Sequence, residues 1–68
     1  MNTADRVRAA LAAAKLPTLL VDIAVESGAT LAVVETVARL EGFPVRTAHY
    51  QSIYTGRAAA VPVIHPKG

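Results

Sequence analysis

The sequence predicts an α+β fold, mostly α, in which three helices precede a C-terminal β-hairpin. Three observations predict it. Apolar and alanine residues recur at helical spacing up to Glu41. Gly28 and the Gly42, Pro44 pair divide and end that region in segments of helix length. After Pro44 the strand formers Val45, Thr47 and Tyr50, then Val61, Val63 and Ile64, flank a glycine-containing stretch.

The first helix is expected over residues 3–15. Thr3 reads as its N-cap, and Asp5 lies in the first turn, where the helix dipole favours negative charge. Val7, Ala10, Leu11 and Ala14 follow the i, i+3, i+4, i+7 pattern of one buried face. Pro17 closes this helix, because the residue before a proline avoids helical geometry. Thr18 is expected to cap a second helix over 18–27, and Gly28 to form the turn that follows, since glycine reaches positive φ without steric cost. Thr30 is expected to cap a third helix over 30–41, with Val34, Val37 and Leu40 facing inward. Leu31 and Val33 are then candidates for partial exposure. The hairpin is expected over 45–64, with its tip near Thr55 and Gly56 and Pro62 at an edge, since proline cannot donate to a ladder. The tail, 65–68, reads as frayed.

Length and composition bound the function. Sixty-eight residues make one small domain, 1–68, and a 53% hydrophobic content is too high for a disordered chain. A chain this short buries only about 60% of its unfolded surface, so stability is marginal or helped by self-association. The absence of cysteine excludes a disulfide scaffold, a thiolate zinc site and a cysteine nucleophile, and fits a cytoplasmic protein. No basic segment followed by an apolar run opens the chain, which argues against a signal peptide. Asp22, Glu26 and Glu35 interrupt the longest apolar region, so no membrane span or membrane partner is expected.

The net charge of +2 is unevenly laid out. Residues 1–41 carry all five acids and the bases Arg6, Arg8, Lys15 and Arg39. Residues 42–68 carry Arg46, Arg57 and Lys67 and no acid, together with both histidines and both tyrosines. Such asymmetry points to a polyanion met by the C-terminal segment, although a short tail that simply lacks acids reads the same way.

Within residues 20–39, LVDIAVESGATLAVVETVAR, two short helices flank a tight turn at Ser27, Gly28 and Ala29. Ala24, four positions before Gly28, is small enough for a close helix crossing, and Ile23, Val34 and Val37 fall where the helices share a core. This spacing, with Leu40, Gly42 and Phe43 leading into the first predicted strand, resembles the winged helix-turn-helix superfamily of small bacterial and phage DNA-binding proteins. The resemblance spans nearly the whole chain. It implies a three-helix helix-turn-helix core with a hairpin wing, and a small DNA-binding transcriptional regulator of a phage or other mobile element. The third helix would dock in the major groove of double-stranded DNA and the wing on the flanking backbone or minor groove.

On that resemblance the contact residues are Thr30, Leu31, Ala32, Thr36 and Arg39 on the third helix, with Arg46 and Arg57 on the hairpin. Arg39 is a strong reader of guanine, Thr30 and Thr36 are flexible hydrogen-bonding groups, and Leu31 and Ala32 fit thymine methyl groups. Glu35 on the same face is unfavourable beside phosphate. A protein-interaction or assembly module without DNA binding therefore stands as the alternative, with a protein partner or a homodimer at the apolar third helix. Tyr50 and Tyr54 either reach phosphate through their hydroxyls or pack their rings over the small core. No enzyme, cofactor or metal site is expected: His49 and His65 stand alone, the acids lie on the first three helices, and Ser27, Ser52 and the threonines serve as caps and turn residues.

Overall fold

The computed structural model describes residues 2–67, which run α1 (Thr3–Ala13), β1 (Thr18–Leu19), α2 (Leu20–Ser27), α3 (Leu31–Leu40), β2 (Val45–Gln51) and β3 (Ala58–Ile64). The fold is α+β: three helices, then an antiparallel hairpin that belongs to a small sheet of order β1-β3-β2. This is a winged-helix-like topology.

Asn2, rather than Thr3, caps α1: its Oδ1 accepts from the Asp5 N–H at 2.9 Å. Val7, Ala10 and Leu11 form the buried face, as the spacing predicts. The helix stops two residues early, where Ala14 turns extended (ψ 113°). Lys15 Nζ then donates to the Ala12 carbonyl at 3.3 Å, satisfying an end group that has no partner within the helix.

Thr18 is not a helix cap. It pairs with Ile64 in β1, while Leu19 pairs with Val63, and its hydroxyl donates to the Leu16 carbonyl. Two residues carry no periodicity of their own, so this strand exists only because β3 comes back to meet it. The second helix accordingly begins at Leu20 without a side-chain cap. Leu20, Ile23, Ala24 and Ser27 are its buried face, and the Ser27 hydroxyl donates to the Ile23 carbonyl at 2.7 Å, so the one buried polar side chain among the described residues is paired. Gly28 ends α2 in the left-handed region (φ 73°), and the Ala29 N–H reaches back to the Ala24 carbonyl at 3.1 Å.

Thr30 caps α3, its Oγ1 accepting from the Val33 N–H at 3.3 Å. The inward residues are Val34, Val37 and Ala38. Leu40, expected inside, is 81% exposed. At roughly 100° per residue it lies about 120° around the helix from Val34, whereas Ala38 lies about 40° away. The end of α3 is a Schellman motif: Gly42 is left-handed (φ 84°), its N–H donates to the Arg39 carbonyl, and the Phe43 N–H donates to the Ala38 carbonyl at 2.9 Å. Phe43 thereby turns back against the core beside Val45.

The core joins Val7, Ala10, Leu11, Leu20, Ile23, Ala24, Val34, Val37 and Ala38 from the helices with Ile64 from the sheet. In β2 and β3 the register runs from Val45 opposite Ile64 to Gln51 opposite Ala58. Pro62 sits on the middle strand, contrary to a simple edge assignment, but loses no ladder bond. The Ser52 N–H donates to the Arg57 carbonyl and the His65 N–H to the Pro44 carbonyl, so by alternation the Thr47–Pro62 pair is a non-hydrogen-bonded one. The proline nitrogen faces the other side, where β1 has already given way to α2. The tail is tied rather than frayed through Lys67: His65 is bonded to Pro44, and the Lys67 ammonium stands 4.8 Å from the centre of the Phe43 ring. Gly68, the last residue of the predicted frayed tail, lies outside the described residues.

The two leucines that helical spacing alone would both place inside separate cleanly in stability. Leu11→Ala is expected to cost about 2–5 kcal/mol by leaving a cavity. Leu40→Ala is expected to stay within about 0.5 kcal/mol. Urea unfolding followed by circular dichroism measures both.

Candidate nucleic-acid interface

The hairpin leaves the body of the molecule. No residue from Arg46 to Pro62 is buried, and the molecule extends 42 Å along its longest axis against 26 and 17 Å along the others. Opposed residues of an antiparallel pair share a face. Val45 and Ile64 therefore mark the core side, which continues outward through Thr47, His49 and Gln51. The other side carries Leu19, Val63, Arg46, Val61, Ala48, Tyr50 and Ala59.

This assigns the tyrosines. Tyr50 does not pack over the core: it is on the opposite face of the sheet and exposed. Tyr54 is beyond the strands altogether, at the tip, and exposed with its neighbour Ile53. Neither ring supplements the core, because the hairpin has passed its edge before either residue is reached.

The tip is closed by its own hydrogen bonds. The Ser52 N–H donates to the Arg57 carbonyl at 3.0 Å, and the Gly56 N–H donates to the Ser52 carbonyl at 2.9 Å. Ser52 Oγ accepts from the N–H groups of Tyr54 and Thr55 at 3.2 and 3.3 Å. Thr55 Oγ1 accepts from the Arg57 N–H at 3.2 Å, and Gln51 Nε2 donates to the Gly56 carbonyl at 2.9 Å. Gly56 supplies the left-handed conformation (φ 70°) the turn requires.

The seven residues singled out by the sequence are all exposed, but they do not form one patch. Ala32, Thr36 and Arg39 lie on α3 opposite the buried Val34, Val37 and Ala38, with Leu31 toward the flank. Thr30 is the cap, so its oxygen is already engaged with α3's own backbone. Arg46 is at the base of the hairpin, on the sheet face turned away from the core. Arg57 is at the tip, level with Ser52 and six residues further along, roughly 20 Å away at strand rise.

Two of the three arginines on the helices, Arg39 and Arg8, are paired, whereas Arg6 joins no ion pair among the described residues. Arg39 donates to Glu35 Oε1 through Nε at 3.1 Å and Nη2 at 3.0 Å. This i, i+4 pair has the acid on the N-terminal side, the favourable orientation in a helix. Arg8 joins Asp5 at 2.8 Å and Glu41 at 2.6 Å, linking α1 to the end of α3. The Glu41 hydrogen bond leads in raising the Arg8 pKa above its ordinary value, against a smaller opposing effect of burial. Arg46 and Arg57 make no ion pair among the described residues.

Other surface features are shallow. One open depression of about 270 Å³ is lined by Arg6, Ala9, Ala10, Glu26 and Ser27; a second, of about 330 Å³, lies between the end of α1 and Phe43 and Lys67. No helix among the described residues is long and apolar enough to cross a membrane, and no three acidic or histidine side chains among them gather as a metal site would require. No family model, curated protein or solved structure matches the chain.

Sequence reasoning did not single out Ile53. The available signal was its setting: a large apolar pair, Ile53 and Tyr54, enclosed by Ser52, Thr55 and Gly56, the residue types of a turn. Thr30, by contrast, has a structural role. Thr30→Ala is expected to destabilise the protein by about 1 kcal/mol, and Thr30→Asp to retain most of that stability, by thermal or urea unfolding.

Proposed function

We propose that the protein is a small DNA-binding protein that acts as a transcriptional regulator. Helix α3 docks in the major groove of double-stranded DNA, and the β2–β3 hairpin lies on the flanking backbone or minor groove. The observation that carries this reading is the hairpin itself. It has no fully buried residue from Arg46 to Pro62, carries Arg46, His49 and Arg57, and belongs to a segment without a single acid. An extended, acid-free arm suits a polyanionic duplex, where arginine reaches phosphate or the narrow minor groove.

Regulation is steric on this reading: occupying a site denies it to other proteins. A lone domain offers few phosphate contacts, so its affinity is weak and falls steeply with salt. Occupation of a specific site then calls for a homodimer or for neighbouring copies along the DNA.

The outward face of α3 favours a second reading, in which that helix meets a protein. Val33 and Leu40 are exposed along one flank of it and Leu31 along the other, and Arg39 is held by Glu35. Exposed apolar side chains on both flanks of a helix suit a protein groove better than a phosphate-lined one.

Fluorescence anisotropy on a labelled duplex of about 20 bp, titrated across roughly 50–200 mM salt, separates the two readings. On the DNA reading Arg57→Ala weakens binding and lowers the slope of log affinity against log salt by about 0.9. Glu35→Gln strengthens binding, because it releases Arg39 and removes an acid from the docking face. Absence of duplex binding at the lowest salt would overturn the DNA reading. Self-association lost in Leu31→Asp but kept in Arg57→Ala would establish the protein-contact one.

A further inference from the structure

We infer that the hairpin tip is an apolar wedge: Ile53 and Tyr54 enter the minor groove of duplex DNA, separate a stacked pair of neighbouring bases and kink the duplex. The inference rests on the DNA-binding reading and adds to it a mechanical action that docking alone does not require.

Ile53 and Tyr54 are 90% and 92% exposed, the two most exposed large apolar side chains among the described residues. They are consecutive and stand at the apex of the one segment that leaves the body of the molecule. The tip gives them no opportunity to fold back. Its polar groups are turned inward and bonded to one another: Ser52 Oγ holds the Tyr54 and Thr55 N–H groups, Thr55 Oγ1 holds that of Arg57, and the Gly56 N–H closes onto the Ser52 carbonyl. A loop closed in this way is ordered by its own hydrogen bonds. What it presents outward is an aliphatic side chain and a phenol ring on a fixed frame.

Apolar surface kept in water by a preorganised frame is surface held ready for a partner. The charge around it selects the partner. Arg57 belongs to the same turn, Arg46 is at the hairpin's base, and no acid occurs from residue 42 onward. An aliphatic wedge beside a cation is the combination that opens a base step from the minor-groove side: the aliphatic group replaces base–base contact, and the arginine meets the negative potential of the groove. The Tyr54 ring supplies a flat face for the base uncovered beside it. The energetic cost is lowest at the easily unstacked pyrimidine–purine steps TA and CA, so these steps are the expected points of entry.

The test uses the full chain and a duplex with a central TA step, labelled at its ends for energy transfer and carrying 2-aminopurine at that step. Wild-type protein is expected to shorten the end-to-end distance and to raise 2-aminopurine fluorescence severalfold. The Ile53→Ser, Tyr54→Ser double variant alters only exposed side chains; circular dichroism checks that it is folded. It is expected to bind more weakly with an unchanged salt slope, and to give neither the distance change nor the fluorescence rise. Binding by wild type without bending, or bending that survives in the double variant, overturns the wedge while leaving the DNA-binding reading intact. Failure of wild type to bind the duplex overturns both. In that event co-sedimentation with anionic vesicles that depends on Ile53 and Tyr54 would assign the tip to a lipid surface.

Discussion

Everything in this fold depends on a core made of short aliphatic side chains. Its buried members are alanines, valines, leucines and one isoleucine from three helices, plus Ile64; the only aromatic near it, Phe43, is half-buried at the rim. Short side chains let the helices approach closely, as Ala10, Ala24 and Ala38 do, but they also make the core small. The sheet is left with a single buried anchoring residue on the core side, Ile64, with Val45 partly buried beside it. Strand β1, two residues long, meets β3 only at this anchor. Past that level the hairpin has nothing to pack against.

The consequence is a molecule of two mechanical halves. The helical body is held by packing, while the outer hairpin is held by its ladder and its turn. A two-stranded hairpin is marginal in water without a third strand or a helix against it. Here the third strand supports only Val63 and Ile64, and β3 begins with three alanines, which add little cross-strand packing to Tyr50, His49 and Gln51. The middle of the hairpin is therefore where local opening costs least, whereas the tip has its own closed set of hydrogen bonds. The arm is hinged in character, with a shaped end.

The helices were legible because each carries its burial pattern in its own residues. Val7, Ala10 and Leu11, and likewise Leu20, Ile23, Ala24 and Ser27, repeat at the helical period whether or not a partner is present. Strand β1 was not legible for the opposite reason: Thr18 and Leu19 become a strand only through Val63 and Ile64, far along the chain. Leu40 shows a different limit. Steps of three from Val34 and Val37 extend the inward stripe on paper, yet each drifts about 60° from the last, and Ala38 takes the inward place instead. Among the candidate contact residues, exposure was readable but engagement was not. The Glu35–Arg39 pair was present in the i, i+4 spacing; the commitment of Thr30 to its cap and the separation of Arg46 from Arg57 required the folded chain.

The pairing of charges bears on how such a molecule meets a polyanion. On the helical body Arg8 and Arg39 are matched by Asp5, Glu41 and Glu35, and Asp22 and Glu26 equal Arg6 and Lys15 in number. The body's field is thus close to balanced, and at physiological salt it decays over about 8 Å. The hairpin carries Arg46 and Arg57 without compensating acids, and its tip stands roughly 20 Å beyond Arg46 at strand rise, outside the reach of the body's acids. On the proposed DNA-binding reading, a duplex approaching this molecule is attracted first by the arm. Docking of α3 would then follow, with Glu35 obliged to release Arg39 or to turn away from the phosphates. Under that proposal the arm would supply the encounter and the early affinity, while α3 would contribute only to the extent that a particular base sequence rewards the exchange of its internal ion pair for a contact to DNA.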